Sequence, residues 1–288
     1  MDYSNENKTV KLSNRVSSLD LARFFAMLFM IQGHTIYAIT DPLTIDYSVF
    51  PWTFWNFFRG LTAPVFLMVS GAVHIFANKR DENGNLPNQT VFKRFKMCGL
   101  LFVIGYLLAY PSVKIYELYS QPLHIWIDFF KVNILHIFAV SLFLLTILYK
   151  FTKNDKQLGI AALSIAIVIT SISPTVLEIN WVNYVHLGIA NYLSYQYGSI
   201  FSIFPYTAYL FYGVALGVIL KQVPIPKRTN FLMKYGFLAG IAIATLMYPI
   251  YVKLLPVYYG FMFKSSPAFT LLNVGLVLLF ISISSFIY

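Results

Sequence analysis

The chain has 288 residues, of which 58% are hydrophobic, 18% are aromatic and only 11% are charged. Soluble domains carry about 25% charged residues, so this composition excludes an ordinary soluble protein and predicts an integral membrane protein. The formal net charge of +10 does not indicate nucleic-acid binding here, because Lys and Arg collect in the cytoplasmic loops of membrane proteins. The single cysteine, Cys98, lies in an apolar run and excludes a disulfide within the chain.

Apolar segments that are long enough, or nearly so, to span a bilayer occur eight times along the chain. They cover residues 19–39, 54–77, 95–110, 129–149, 158–176, 200–220, 231–255 and 268–288. The sequence therefore predicts an all-α, polytopic membrane bundle of about eight transmembrane helices, forming a single domain over residues 19–288. The aromatic and polar segment 180–199 is expected to form an interfacial or re-entrant cap. The apolar end of the sequence fits either a closing last helix or a C-terminal truncation.

The basic residues predict which helix ends face the cytoplasm. Fourteen of the 21 Lys and Arg residues precede the first span or lie in every second loop after it. They are Lys8, Lys11, Arg15, Lys79, Arg80, Lys93, Arg94, Lys96, Lys150, Lys153, Lys156, Lys221, Lys227 and Arg228. The positive-inside rule therefore predicts a cytoplasmic N-terminus, with residues 1–18 as a cytoplasmic tail.

Three ionisable residues lie in the first predicted span: Asp20, Arg23 and His34. Ionisable side chains at membrane depth are costly and mark functional sites by default. The helical repeat returns Arg23 and His34 to nearly the same face, about 16 Å apart along the axis, and Asp20 is close enough to pair with Arg23. The predicted topology places Arg23 near the cytoplasmic face and His34 near the outer end.

Two other spans bring basic groups to the depth predicted for His34. Arg59 in the second span and His136 in the fourth both lie near the outer ends of their helices. We predict that His34, Arg59 and His136 line one cavity that opens outward. Structural roles are the alternatives, since His136 could be a packing histidine and Arg59 could extend to the outer interface.

At the inner ends of the helices, the sequence predicts a cationic mouth that suits phosphate groups. Its residues are Asp20, Arg23, His74, Lys93, Arg94 and Lys96. His74 could instead be a packing residue, and Lys93, Arg94 and Lys96 could serve only to set the topology. His124 and His186, in outer loops, are predicted to be ordinary surface residues.

Four stretches of the sequence resemble those of transmembrane acyltransferases. RVSSLDLARFFAMLFMIQGH resembles their opening helix, and FRGLTAPVFLMVSG, VNILHIFAVSLFLL and FPYTAYLFYGVALG resemble later ones. The arginine and histidine spacing, matched by Arg23 and His34, is similar to the first-helix motif of acyltransferase family 3. The Arg-x-x-x-Leu-Asp opening at residues 15–20 and the segment FRGLTAPVFLMVSG are more similar to the heparan-alpha-glucosaminide N-acetyltransferase catalytic-domain family. The resemblance covers about Arg15 to Gly217.

This resemblance implies an acyl-CoA-dependent acyltransferase without a metal. Cytoplasmic acetyl-CoA or another acyl-CoA would be the donor, bound at the cationic mouth with Arg23 deepest. An extracytoplasmic hydroxyl or amine of a glycan or glycolipid would be the acceptor. His34 would act as the base or form an acyl-histidine, and Arg59 would stabilise the oxyanion. The expected location is a bacterial plasma membrane.

Two other functions remain open from the sequence. A transporter or flippase would also use an outward polar cavity and helices interrupted by residues such as Pro64, although no inverted repeat supports it. A non-catalytic relative that kept the fold is the other alternative. Five aromatic residues of the outer segments could stack on sugars or form an interfacial belt: Trp52, Trp55, Trp126, Trp181 and Tyr184.

Overall fold

A computed structural model describes residues 16–41, 44–111, 114, 117, 120–257, 263 and 265–287. Within these ranges all regular structure is helical. The helices are α1 (Ser17–Ile39), α2 (Trp52–Ala77), α3 (Asn88–Leu108), α4 (Leu123–Phe129), α5 (Ile134–Phe151), α6 (Asp155–Glu178), α7 (Leu187–Leu193), α8 (Ile203–Gln222), α9 (Arg228–Phe231), α10 (Phe237–Leu254) and α11 (Pro267–Ile287). A π-helical turn, Leu232–Gly236, joins α9 to α10. Most of the predicted N-terminal tail, with Lys8, Lys11 and Arg15, lies outside the described residues.

Six helical segments among the described residues are long and apolar enough to cross a membrane. They are α2, α5, α6, α8, the segment Ile225–Leu254 that contains α9 and α10, and α11. The more polar α1 and α3, with 23 and 21 residues, coincide with the other two predicted spans. The prediction of an all-α membrane bundle is confirmed, and the chain is a multi-pass integral membrane protein. The number of eight spans and the cytoplasmic N-terminus stay predictions.

Two predicted boundaries differ from the helices observed. The third span was expected from residue 95, but α3 begins at Asn88, so Lys93 and Arg94 lie on the helix and not in a loop. The fourth was expected from residue 129, but α4 ends there and α5 begins at Ile134. The Asn133 side chain accepts hydrogen bonds from the first turn of α5, which fixes that start. Hydropathy alone does not register such a cap.

The centre of the bundle is the close crossing of α2 and α8, the helices with the largest buried share among the candidate spans. Gly213 makes this approach possible, because a Cβ atom there would lie 1.8 Å from the Met68 carbonyl oxygen. A Cβ at Gly71 would likewise lie 2.1 Å from the Leu210 carbonyl oxygen. Small residues let membrane helices pack backbone against backbone in this way.

We expect Gly213→Ala to destabilise the protein, because the added methyl group has no space against the α2 backbone. Overpacking of this kind costs about 1–3 kcal/mol, so the thermal unfolding temperature in detergent should fall. Gly99→Ala in α3 is the matched control, since a Cβ there has no neighbour within 4 Å. Equal unfolding temperatures for the two variants would contradict the packing described here.

The other helices surround this pair. α1 packs on α2 and α11, α3 packs on α5, and α6 packs on α8. α10 packs on α11, where Gly240 and Gly275 bring the two backbones close together. In the segment predicted as a cap, the structure has a 3-10 turn at Trp181–Asn183 and the short helix α7, which is too short to span a bilayer.

Candidate functional site

A cavity of about 270 Å³ opens where the end of α2 meets the start of α3. Its lining residues are His74, Ala77, Asn78, Thr90, Lys93, Arg94, Met97 and Leu142. Three of the six residues predicted for the cationic mouth, His74, Lys93 and Arg94, therefore share one cavity. Because Lys93 and Arg94 lie in the first turns of α3, the rigid helix holds both near the mouth. We call the lining residues of this cavity the inner cluster; the words inner and outer follow the topology predicted from the sequence.

A hydrogen bond to a buried side chain holds Arg94 in the inner cluster. Its Nη2 donates a hydrogen bond to Asn78 Oδ1, and Asn78 is only 3% exposed. Its Nε is buried and has no hydrogen-bond acceptor among the described residues. A buried donor without an acceptor is costly, so an anionic group that entered the cavity would find a donor already in place.

The His74 ring is held in one orientation and in one tautomer. Its Nδ1 lies 2.7 Å from the Ser70 carbonyl oxygen. A carbonyl oxygen only accepts, so Nδ1 carries a proton, and in the neutral ring Nε2 is left as an acceptor. The guanidinium groups of Arg94 and Arg23 both lie close enough to His74 to interact with it electrostatically. This end of the bundle therefore concentrates positive charge.

Arg23 joins the inner cluster through aromatic side chains. Its Cζ lies 5.6 Å from the centre of the Phe66 ring, and its Nε is buried without an acceptor among the described residues. The ring centres of Phe66 and Phe138 are 5.1 Å apart, and those of Phe138 and His74 are 6.3 Å apart. Four of the six predicted residues, Arg23, His74, Lys93 and Arg94, thus lie in one region.

The other two predicted residues of the mouth lie apart from the cavity lining. Asp20 is half-buried in the first turn of α1. Lys96 is exposed on α3 and is not among the residues that line the cavity. The helical repeat explains the difference, because two residues of separation turn Lys96 away from the face that Arg94 presents.

An arginine on the same side of the bundle fastens the connections beside the inner cluster. Arg80 donates hydrogen bonds to the carbonyl oxygens of Gly84, at 2.6 Å, and Thr152. Its Nε also pairs with Asp155 at 3.4 Å, and Asp155 pairs with Lys221 at 2.6 Å. These bonds tie the α2–α3 connection to the α5–α6 turn and, through Asp155, to the end of α8.

At the opposite end of α2, Arg59 lies among aromatic rings. Its Cζ is 5.1 Å from the centre of the Tyr37 ring, 5.8 Å from Tyr47 and 5.2 Å from Trp55. Its Nη1 donates to the Tyr37 hydroxyl, and its Nη2 donates to Asn56 Oδ1 at 2.7 Å. Cation–π contacts and hydrogen bonds together hold the guanidinium group in place. We call these five residues the outer cluster.

His34 lies beside the outer cluster on α1. A Cβ atom at the preceding Gly33 would lie 3.8 Å from Arg59 Cγ, so the stem of Arg59 crosses the turn that carries His34. Gln32, on the same turn, accepts a hydrogen bond from Trp55 Nε1 at 3.1 Å. The His34 side chain itself is exposed. The structure therefore brings two of the three residues predicted for the outward cavity to neighbouring positions.

His136, the third of those residues, has different neighbours. It is completely buried, and its Nδ1 accepts a hydrogen bond of 3.3 Å from the backbone N–H of Asn133. Its ring packs on Tyr106 at 4.2 Å, and a Cβ atom at Gly105 would lie 2.4 Å from its Nε2. These contacts place His136 at the start of α5 and against α3. They give it a packing role, and a part in the chemistry stays a prediction.

Some residues of both clusters were missed by the sequence reasoning. Asn78 and Thr90 line the inner cavity, and Tyr37 and Tyr47 contact Arg59. The only sequence signal for Asn78 is its place directly after the second span, next to two basic residues. Tyr37 had a stronger signal, because it lies one turn after His34 on the same helix. Within the described ranges, no group of three or more His, Cys, Asp or Glu residues is placed to hold a metal ion.

Comparison with known proteins gives the family of the chain. A sequence model described as the catalytic region of heparan-alpha-glucosaminide N-acetyltransferase matches residues 15–234, which include every residue of the two clusters. No curated protein and no solved structure matches the chain significantly. The match covers about three quarters of the 288 residues and supports a membrane acetyltransferase-type function. The chain therefore belongs to the heparan-alpha-glucosaminide N-acetyltransferase catalytic-domain family.

Proposed function

We propose that this protein transfers an acetyl or other acyl group from cytoplasmic acyl-CoA to an extracytoplasmic hydroxyl or amine. The acceptor would be a glycan or glycolipid, and the expected location is a bacterial plasma membrane. The observation that supports this proposal most is the pair of polar clusters at the two ends of α1 and α2. Arg23 and His74 belong to one end, and His34 and Arg59 belong to the other.

The donor would bind at the inner cluster. Acyl-CoA carries phosphate groups, and guanidinium groups bind phosphate oxygens with charge-assisted hydrogen bonds. Arg94 offers a buried Nε donor that has no acceptor among the described residues, and Lys93 lines the same cavity. Arg23 lies further along α1, in contact with Phe66, and would guide the pantetheine arm away from the cavity. Asp20 and Lys96 would lie only at the entrance of this donor site.

The length of α1 suits this arrangement. Arg23 and His34 are separated by about 16 Å along the helix axis, which is about the reach of a pantetheine arm. Between these two levels, mostly apolar side chains of α1, α2 and α11, including Ala26, Phe58 and Phe280, lie together with no room for a water molecule. The uncharged arm would have to part these side chains to bring the thioester to the level of the outer cluster.

At the outer cluster, His34 would take the proton of the acceptor as its oxygen or nitrogen attacks the thioester carbonyl carbon. Arg59 would stabilise the negative charge that develops on the carbonyl oxygen. The C–S bond then breaks, and the CoA thiolate leaves and accepts the proton from His34. The alternative is an acyl-histidine, in which His34 first bonds to the carbonyl carbon and later passes the acyl group to the acceptor.

The experiment that tests this function uses the purified protein in proteoliposomes. Radiolabelled acetyl-CoA is added together with a membrane glycan and lipid extract, and labelled product and released CoA are measured. We expect both to appear with time and to depend on the protein. Label that enters the vesicles without any product would contradict the proposal and indicate a transporter. Neither product nor uptake would favour a non-catalytic member of the family.

A further inference from the structure

Tyr47 lies in the segment between α1 and α2, and local hydrogen bonds fix its position. The backbone N–H and the hydroxyl of Ser48 both donate to Asp46 Oδ1, at 2.9 and 2.6 Å. The Thr53 hydroxyl, in the first turn of α2, donates to the Tyr47 carbonyl oxygen at 3.0 Å. The Tyr47 ring also stacks on Trp55 at 6.1 Å, with 11° between the ring planes. The segment therefore holds Tyr47 over the outer end of α2.

The hydrogen bonds of the outer cluster have a direction. A guanidinium group only donates, so the Tyr37 oxygen accepts from Arg59. The hydroxyl groups of Tyr37 and Tyr47 lie 3.1 Å apart. An oxygen that accepts from a cation becomes a better donor, because successive hydrogen bonds polarise one another. This polarisation favours Tyr37 as the donor to the Tyr47 oxygen. The Tyr47 hydroxyl then has no acceptor among the described residues and can donate to a third group.

We infer that the Tyr47 hydroxyl is a catalytic donor of the acyl transfer proposed above. It would donate a hydrogen bond to the thioester carbonyl oxygen as that oxygen gains negative charge. Tyr37 would be a positioning residue, because it links Tyr47 to Arg59 by hydrogen bonds and would not itself contact the substrate. Nη1 and Nη2 of Arg59 donate to Tyr37 and Asn56. The hydrogen bonds through Tyr37 to Tyr47 would extend the stabilising effect of the Arg59 charge to the carbonyl oxygen.

Three phenylalanine variants test the inference, because each removes only a hydroxyl group and keeps the ring. Tyr47→Phe should keep the stacking on Trp55 and the thermal unfolding temperature. It should lower kcat by about 100-fold, as expected for a lost oxyanion donor, with little change in KM for acetyl-CoA. Tyr37→Phe should have a similar effect, and the double variant should be no slower than the slower single variant. Tyr248→Phe is the control, because Tyr248 is 60% exposed on α10 and lies outside both clusters.

The outcomes separate this inference from the proposed function. If the wild-type protein transfers acyl groups and Tyr47→Phe retains its kcat, the inference is overturned and the proposed function stands. Additive losses in the double variant would also overturn the directed chain, because the two hydroxyl groups would then act independently. A wild-type protein without any transfer overturns both.

Discussion

Replacement of His34 by Ala is expected to abolish measurable acyl transfer while the protein still folds and binds acyl-CoA. General acid–base groups contribute about 100- to 10,000-fold to rates, and kcat should fall within that range or below detection. Donor binding should remain within about twofold of wild type, because Arg23, beside the inner cluster, lies about 16 Å from His34 along α1. Single-turnover assays with labelled acetyl-CoA, together with equilibrium binding, measure the two effects separately.

His124→Ala is the matched control for this variant. His124 is exposed on the short helix α4 and lies outside both clusters, so its replacement should leave transfer unchanged. Retained turnover in His34→Ala would remove His34 from the mechanism. A hydroxylamine-sensitive label that forms on the wild-type protein without acceptor, and that is lost in His34→Ala, would favour the acyl-histidine route over direct transfer.

Replacement of Arg94 by Leu is expected to produce the largest loss of donor affinity. A hydrogen bond to a charged group contributes about 1.5–3 kcal/mol, which corresponds to a rise in Kd for acyl-CoA of about 10- to 150-fold. The loss should be greater for acyl-CoA than for an acyl-pantetheine thioester, which has no phosphate groups to bind. Competition binding of labelled acyl-CoA to the purified protein measures both.

Lys150→Leu serves as the control for Arg94→Leu, because it removes one positive charge from an exposed position at the end of α5 without changing the cavity lining. Its Kd should stay within about twofold of wild type, since exposed charges are screened by salt and contribute little. If both variants weaken binding equally, the effect is one of general charge, and the specific role of Arg94 in the cavity is wrong.

The helical architecture was predictable from the sequence because a membrane imposes simple conditions. Backbone groups in hydrocarbon must bond within their own segment, so long apolar runs become helices, and α2, α6, α8 and α11 follow their predicted spans closely. Segment ends were less predictable. The start of α5 depends on the Asn133 cap, and the start of α3 lies in a polar stretch that hydropathy assigns to a loop.

The sequence by itself determined that this protein is a helical membrane protein of this acyltransferase family, with basic groups near both ends of its first helices. Only the tertiary structure decided which of those groups meet. It joined Arg94 to Asn78 and Arg59 to Tyr37 and Tyr47, and it placed His136 against α3. The physical reason is that hydropathy and charge give the depth of a residue along its helix. They do not give the direction in which the helix turns that residue, which is set by packing against neighbouring helices.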